Sequence, residues 1–483
     1  VLDDWGARHR AAQDHGVNAT EVIVELGDAL AWLDRHQNLE RMLARQGDAT
    51  PDPARMARLV DVLGHPEAAA PVIHVTGTNG KTSTSRAIAQ LLMSKGLSVG
   101  LYLSPHLERI NERISADGEP ISDADLAQVL SDIAEIEPLV QRGGTVDLSV
   151  AGADGAGDRG GGSSPLTWFE IITAAALRWF ADRPVDVAVI EVGIGGRWDA
   201  TNVVEAAVAV VTTIGLDHTE FLGPTRDLIA REKAGIITPG APLVLAETDP
   251  NLLPIFEVEG PSPLLLAGRD WEVARNEIAV GGRVIDVRTP WADHRDVFVD
   301  LHGRYQADNF ATALVAVEAF FDAAVHPDLV AEAAATVASP GRLEVVGRQP
   351  LVVLDGAKNV EGATASAASV AEEFGEATSR ILVVGMLAGK DPADMLDALG
   401  AGAARLIVTC APPSPRAQSA SELAAAAARF GVPTEVADTV ADALDVALAA
   451  ADPDDLILVS GSLYVVGAAR TAMAVRARSG RAR

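Results

Sequence analysis

The sequence predicts an α/β protein with a larger first domain and a smaller Rossmann-like second domain, each built on a mostly parallel sheet. Three observations carry this reading. Pro71–Leu92 reads as strand, Gly-rich turn and helix. Beyond residue 341, four apolar strand-like runs alternate with Ala-rich helical stretches, the β-α repeat of a sheet covered on both faces. The chain has 483 residues, too many for one core.

Two helical patterns come first, near Val22–Arg45 and Pro53–Leu63. "PVIHV" (71–75) is then a short apolar run typical of a buried strand. Gly77 and Gly80 allow a tight turn and close approach of a ligand to the backbone. From Thr82 the pattern turns helical, with Ala87, Ile88, Leu91 and Leu92 on one stripe. The stretch 141–164 is Gly-rich with little to bury, and reads as a mobile surface loop. Val187–Ile190, Val208–Val211 and Leu243–Leu245 are further strand candidates, and Leu264–Val299 suits hairpins. In the second domain the strand-like runs are 351–356, 381–386, 405–410 and 456–461. Ser339-Pro340-Gly341 punctuates the change of texture. The predicted domains are therefore 1–338 and 339–483.

Lys plus Arg number 39 and Asp plus Glu 67, a net charge of −28. So acidic a chain argues against non-specific nucleic-acid or anionic-membrane binding. Anionic substrates would need locally clustered basic groups, since charge beyond about 8 Å is largely screened. Cys410 is the single cysteine. It allows no intrachain disulfide, which fits a reducing cytoplasm. The start lacks the apolar stretch of a signal peptide, and no apolar run reaches transmembrane length. The basic end, "VRARSGRAR", is expected to be solvated and frayed.

"GTNGKTS" (77–83) has the lysine and hydroxyl of a phosphate-binding loop at a helix start. Val75 stands where the strict motif has its first glycine. Gly77, Thr78, Asn79, Gly80, Lys81, Thr82 and Ser83 are thus candidate phosphate contacts. Glu191 ends an apolar strand beside this loop, a good position for a Mg²⁺ ligand. Asp217 and His218 follow another strand in the same way. Lys233 lies on a short helix, and Asn309 on a helix start. Arg342 sits at the hinge, where it would reach phosphate only on closure. Asp355 caps the first strand of the second domain and could take a hydroxyl or a metal-bound water.

Together these residues resemble the folylpolyglutamate synthase and dihydrofolate synthase family, within the Mur-ligase-like group, from about Leu39 to Gly467. "GTNGKTS" resembles the family's GTNGKGS, and "LSPHLERINERI" (103–114) resembles its S-P-H-L loop. "LTWFE" (166–170), "EVGIGGRWDATN" (191–202), "LDH" (216–218), "SPRA" (414–417) and "GSLYVVG" (461–467) continue the match. The resemblance implies an ATP-dependent ligase that joins L-glutamate to a folate, or to dihydropteroate, through an acyl phosphate. It implies a P-loop ATP-binding first domain and a glutamate-ligase second domain. It implies ATP contacts at Asn309, Arg342 and Asp355, and catalytic roles for Lys81, Lys233, Arg342 and Asp355. Ser104, Glu191, His218 and a carbamylated Lys233 would bind Mg²⁺, with two ions in all. Asn38, Leu39, Thr167, Phe169, Glu170, Trp198, Asp199 and Ala200 would lie on the folate side. A monomer is expected. One departure is chain-specific: the family's D-G-A-H-N has Lys358 in place of histidine. Another Mur-type ligase, or a non-catalytic nucleotide-binding relative, is the alternative.

Overall fold

Short β-branched runs between turn residues form the strands here, and striped runs form the helices. The computed structural model describes residues 25–38, 40, 52–141 and 165–481. Leu39 and residues 142–164 of the Gly-rich stretch lie outside the described residues. The first strands are β1 Val72–Thr76, β2 Val99–Tyr102, β3 Ile114–Ala116, β4 Glu119–Pro120, β5 Val187–Glu191, β6 Ala206–Val211, β7 Leu243–Leu245 and β8 Leu264–Leu266. They make one sheet in the order β4-β3-β2-β5-β1-β6-β7-β8. It is parallel from β2 to β8, with β3 and β4 antiparallel at one edge.

Every residue of β1 and β5 is buried, as a sheet covered on both faces requires. Successive side chains go to opposite faces. Ile73 and Val75 pack into a core with the Lys81–Ser94 and Arg304–Phe321 helices, while Val72 joins the core under Asp123–Gln141 and Trp168–Asp182. The predicted hairpins form a three-stranded antiparallel sheet of β9 Glu272–Ala279, β10 Gly282–Arg288 and β11 Asp293–Val299. β8 departs from that expectation and joins the large parallel sheet.

The second sheet contains β12 Glu344–Arg348, β13 Leu351–Leu354, β14 Arg380–Val384, β15 Leu406–Thr409, β16 Thr434–Val436 and β17 Leu456–Ser460. Its order is β12-β13-β17-β14-β15-β16, parallel except for β12. Cys410 follows β15, and burial pushes its thiol up to about 12, so it acts as a small apolar group. The basic end is helical where it is described. It continues the Leu463–Arg481 helix, tied down by an ion pair from Arg476 to Asp445. Among the described residues no helix is long and apolar enough to cross a membrane.

A buried bond stitches β1 to the loop after β5. His74 Nε2 lies 2.9 Å from Thr201 Oγ1, and Thr201 donates to Asp199 at 2.6 Å. The hydroxyl therefore accepts from an Nε2–H imidazole, which is neutral. Burial pushes the His74 pKa from 6.5 down to about 3. Because the folded value is depressed, this stability is present above pH 6.5 and is lost as pH falls towards 3. The loss is at most about 1.4 kcal/mol per pH unit. Urea unfolding at pH 7 and pH 5 should show wild type losing more stability than His74→Asn. Equal losses in both proteins would exclude this role.

Candidate active site

The phosphate loop is built from the C-terminal end of β1 and braced by the exit of β6. Thr78 N donates to Thr213 O at 2.7 Å, and Thr212 Oγ1 donates to Asn79 O at 2.6 Å. Gly77 has φ +150°, and a Cβ there would lie 1.7 Å from Thr212 Oγ1. Gly80 has φ +87°, and a Cβ there would lie 2.4 Å from Asn309 Oδ1. Glycine is needed at both positions for these close approaches. The Lys81–Ser94 helix starts without a side-chain cap. Its first N–H groups therefore face the loop, the arrangement that binds anions.

Two lysines converge beneath this loop. Lys81 Nζ donates to Gly77 O at 2.9 Å, and Lys233 Nζ donates to the same oxygen at 2.8 Å. Burial, with Lys358 nearby, pushes Lys81 down to about 8. Burial, with Lys81 nearby, holds Lys233 well below the ordinary lysine range. Lys233 is buried, not the solvated lysine that a short polar helix suggests.

Glu191 ends β5 beside the loop, also buried. Burial raises its pKa against the pull of Lys81. Thr82 Oγ1 lies 3.0 and 3.1 Å from its two carboxylate oxygens, and the Ser104 amide reaches it at 3.4 Å. A loop hydroxyl facing a buried carboxylate fits a Mg²⁺ ion held by Thr82, Ser104 and Glu191. His218 is different. Its Nε2 already accepts from Lys358 Nζ at 3.3 Å. Burial first, then Lys358, pushes its pKa down to about 3. Among the described residues no group of three or more His, Cys, Asp or Glu is arranged to hold a metal.

Next to the loop, where Ser104 meets Glu191, a cleft of about 890 Å³ lies between the two sheets, lined on one side by Ser104, Asp217 and His218. Lys358, Lys390 and Arg416 line the other side. Asp217 pairs with Lys390 at 2.5 Å and Lys358 at 3.4 Å. Burial opposes its charge, but Lys358, His218 and Lys390 outweigh that and hold the carboxyl well below the usual range. A second pocket of about 440 Å³ adjoins it, lined by Thr167, Phe169, Glu170, Trp198, Asp199 and Ala200.

Several predicted residues take more specific positions than the sequence implies. Ser83 faces the hinge, its hydroxyl 2.8 Å from that of Ser339. Asn38 caps the amide of Glu40 at 2.9 Å and is absent from the pocket lining. Asp355 takes the Tyr305 hydroxyl at 3.1 Å and the amides of Leu343 and Ala357. Arg342 lies against Gly356, where its charge acts on both Glu191 and Asp355. Glu40 was missed by sequence reasoning, although it lines both pockets and pairs with buried Arg113 at 2.6 Å. One acid within a predicted helical pattern offers no signal for this role. "SPRA" did mark Arg416, which reaches the Glu40 carbonyl at 3.1 Å.

The Mur ligase middle domain family matches residues 144–317, and the Mur ligase glutamate ligase domain family matches 341–463. The dihydrofolate synthase/folylpolyglutamate synthase of Mycobacterium tuberculosis is 40% identical, over 93% of this chain and 95% of that protein. The chain belongs to the folylpolyglutamate synthase and dihydrofolate synthase family. It is an enzyme, an ATP-dependent ligase. The Mycobacterium tuberculosis folylpolyglutamate synthase complexed with ADP and AMPPCP has a TM-score of 0.81 at 36% identity, covering 93% of this chain and 98% of that one. The Escherichia coli family member in complex with DHPP and ADP has a TM-score of 0.77 at 28% identity, covering 96% and 100%.

Within this synthase fold, Glu170 braces the wall of the smaller pocket. Its carboxylate takes Arg55 Nε at 2.8 Å and Arg55 Nη2 at 2.7 Å, and closes a capping box on Thr167. Both partners are buried. Glu170→Ala removes one partner of a buried ion pair together with the capping box, and should cost roughly 3–5 kcal/mol. The double variant Arg55→Met/Glu170→Met should recover much of that in urea titrations. A loss below about 1 kcal/mol in Glu170→Ala would contradict a structural brace.

Proposed function

We propose that the chain joins the amine of L-glutamate to a folate carboxylate in an ATP-driven reaction, and that dihydropteroate is also a substrate. The observation that carries this reading is the phosphate loop with Thr82 facing buried Glu191, next to a cleft that Ser104 joins to Glu191 and that Lys358, Lys390 and Arg416 line. In this reading residues 1–338 hold ATP and the folate, and residues 339–483 bring the groups that meet glutamate. The likeness to relatives named for both synthase activities supports the two-substrate form.

A carboxylate resists attack by an amine because it has no good leaving group. One carboxylate oxygen takes the γ-phosphoryl group from ATP, so that ADP leaves and an acyl phosphate forms. The glutamate α-amine then attacks the acyl carbon and loses a proton, and inorganic phosphate departs with the former carboxylate oxygen. Lys81 and the amides of Gly80 to Ser83 hold the β- and γ-phosphates. Mg²⁺ held by Thr82, Ser104 and Glu191 would neutralise charge on the transferring group. Arg342, reaching from the hinge, faces the same charge. The Asn309 side chain lies against Gly80 of the loop. The aromatic faces of Phe169 and Trp198 suit a flat heterocycle, and the cationic side of the cleft suits a dicarboxylate.

In this reading Lys233 carries a carbamate. Carbamate formation needs the neutral amine, which burial favours here. The added negative charge would meet Lys81 and Lys358, the two cations that bear on Lys233.

Three outcomes are expected. Mass analysis of products should show one glutamate added to a reduced folate and to dihydropteroate when ATP, Mg²⁺ and glutamate are present; no addition to either would sink the assignment. Lys81→Ala should reduce turnover at least 100-fold with an unchanged melting temperature, since its side chain fills no core. Near-normal turnover at saturating ATP would remove Lys81 from the chemistry. Lys233→Ala should be nearly inactive and partly rescued by short carboxylic acids; full activity without them would exclude a carbamate.

A further inference from the structure

We infer that the Lys358 ammonium group takes the place of a second metal ion in this chain, so that catalysis runs with one Mg²⁺ instead of two. This rests on the reading of the phosphate loop as an ATP site, and it concerns what stands opposite His218.

The argument is one of lone pairs and charge. A ring nitrogen of imidazole has a single lone pair, which either accepts a hydrogen bond or binds a metal. In His218 the Nε2 lone pair points at Lys358 Nζ, 3.3 Å away. An ammonium group can only donate, so Nε2 is the acceptor. The same Nζ lies 3.4 Å from Asp217 Oδ2, and that oxygen is 3.8 Å from His218 Nε2. The ammonium group thus sits against both groups that could hold a cation on this side of the cleft. Asp217 also binds Lys390 through its other oxygen. Two lysines therefore surround one carboxylate, and these three groups together carry a charge of +1. A divalent ion at His218 would have to displace one of these lysines and tolerate the other.

The first ion faces no such obstacle. Glu191 is contacted by a hydroxyl and an amide, with no cation in hydrogen-bond contact among the described residues. Lys358 stands where the family's motif has histidine, a residue without a fixed charge at neutral pH. A fixed cation anchored to Asp217 supplies positive charge to the cleft without a metal.

The test counts metal rather than activity. Wild-type protein is dialysed to equilibrium against Mn²⁺ and AMPPCP, and bound metal and nucleotide are measured per chain. One Mn²⁺ per bound nucleotide is expected. Lys358→Met removes the donor at similar length, and Lys358→His restores the family residue; each should bind two, with the extra ion lost on adding His218→Ala. Two ions in the wild type would overturn the inference, as would one ion in a folded Lys358→Met protein. Should Lys358→Met not fold, the wild-type and Lys358→His counts decide by the same criteria. Absence of bound nucleotide in the wild type would overturn the ATP-site reading itself, and the inference with it.

Discussion

The Gly77 carbonyl oxygen is the point on which the site depends. Two lysine side chains donate to it, one from the helix that follows the loop and one from the Arg226–Ala234 helix. Their Nζ atoms are no more than about 6 Å apart, where two like charges repel by roughly 3 kcal/mol at an effective dielectric constant near 20. Repulsion of this size can be relieved by a bound anion, or by loss of a proton from one lysine. The loop geometry keeps both options open, because the carbonyl is turned by the φ of +150° that only glycine adopts freely. Phosphate binding and the carbamate proposed for Lys233 would each answer this one electrostatic problem.

The same loop is tied to the second sheet. Asn79 Nδ2 donates to Glu361 at 3.1 Å, and Asn359 Nδ2 lies 3.1 Å from Asn79 Oδ1 and 3.3 Å from Asp217. Asn359 also caps the Val360–Glu373 helix. At the far end of that helix, Glu373 binds Arg283 of β10, His302 and the Gly303 amide. One helix therefore carries a polar anchor to the first part of the chain at each end. Moving it would break bonds at the phosphate loop and at the antiparallel sheet together.

Much of this was legible in the sequence, and the reasons for the rest are physical. The buried parallel strands were readable because burial on both faces demands continuous apolar runs, as in Val187–Ile190 and Leu243–Leu245. Edge strands carry no such demand. β12 is half-buried, and β16 is mostly exposed, so neither shows an apolar run. The loop was readable because close backbone approach restricts Gly77 and Gly80 to glycine. Side-chain partners were not readable in the same way. Nothing local in "LTWFE" shows that Glu170 is occupied by Arg55, 115 residues away in sequence. Nor does "DGAKN" show that Lys358 meets His218 across the cleft. Such contacts depend on how two sheets face each other, which periodicity does not encode.

The chain carries a net charge of −28, yet it holds anionic substrates in its cleft under the proposed reaction. The two facts are compatible because charge acts locally. Ions screen the surface carboxylates beyond about 8 Å, whereas groups in a partly dry cleft interact across a lower dielectric. Four cations, Lys81, Lys358, Lys390 and Arg342, bear on the region around Glu191 and Asp217. Their surplus over those two carboxylates is what an anionic ligand would meet. The acidic surface supplies solubility, and the specificity for anions comes from the few lysines and arginines that the two sheets bring together.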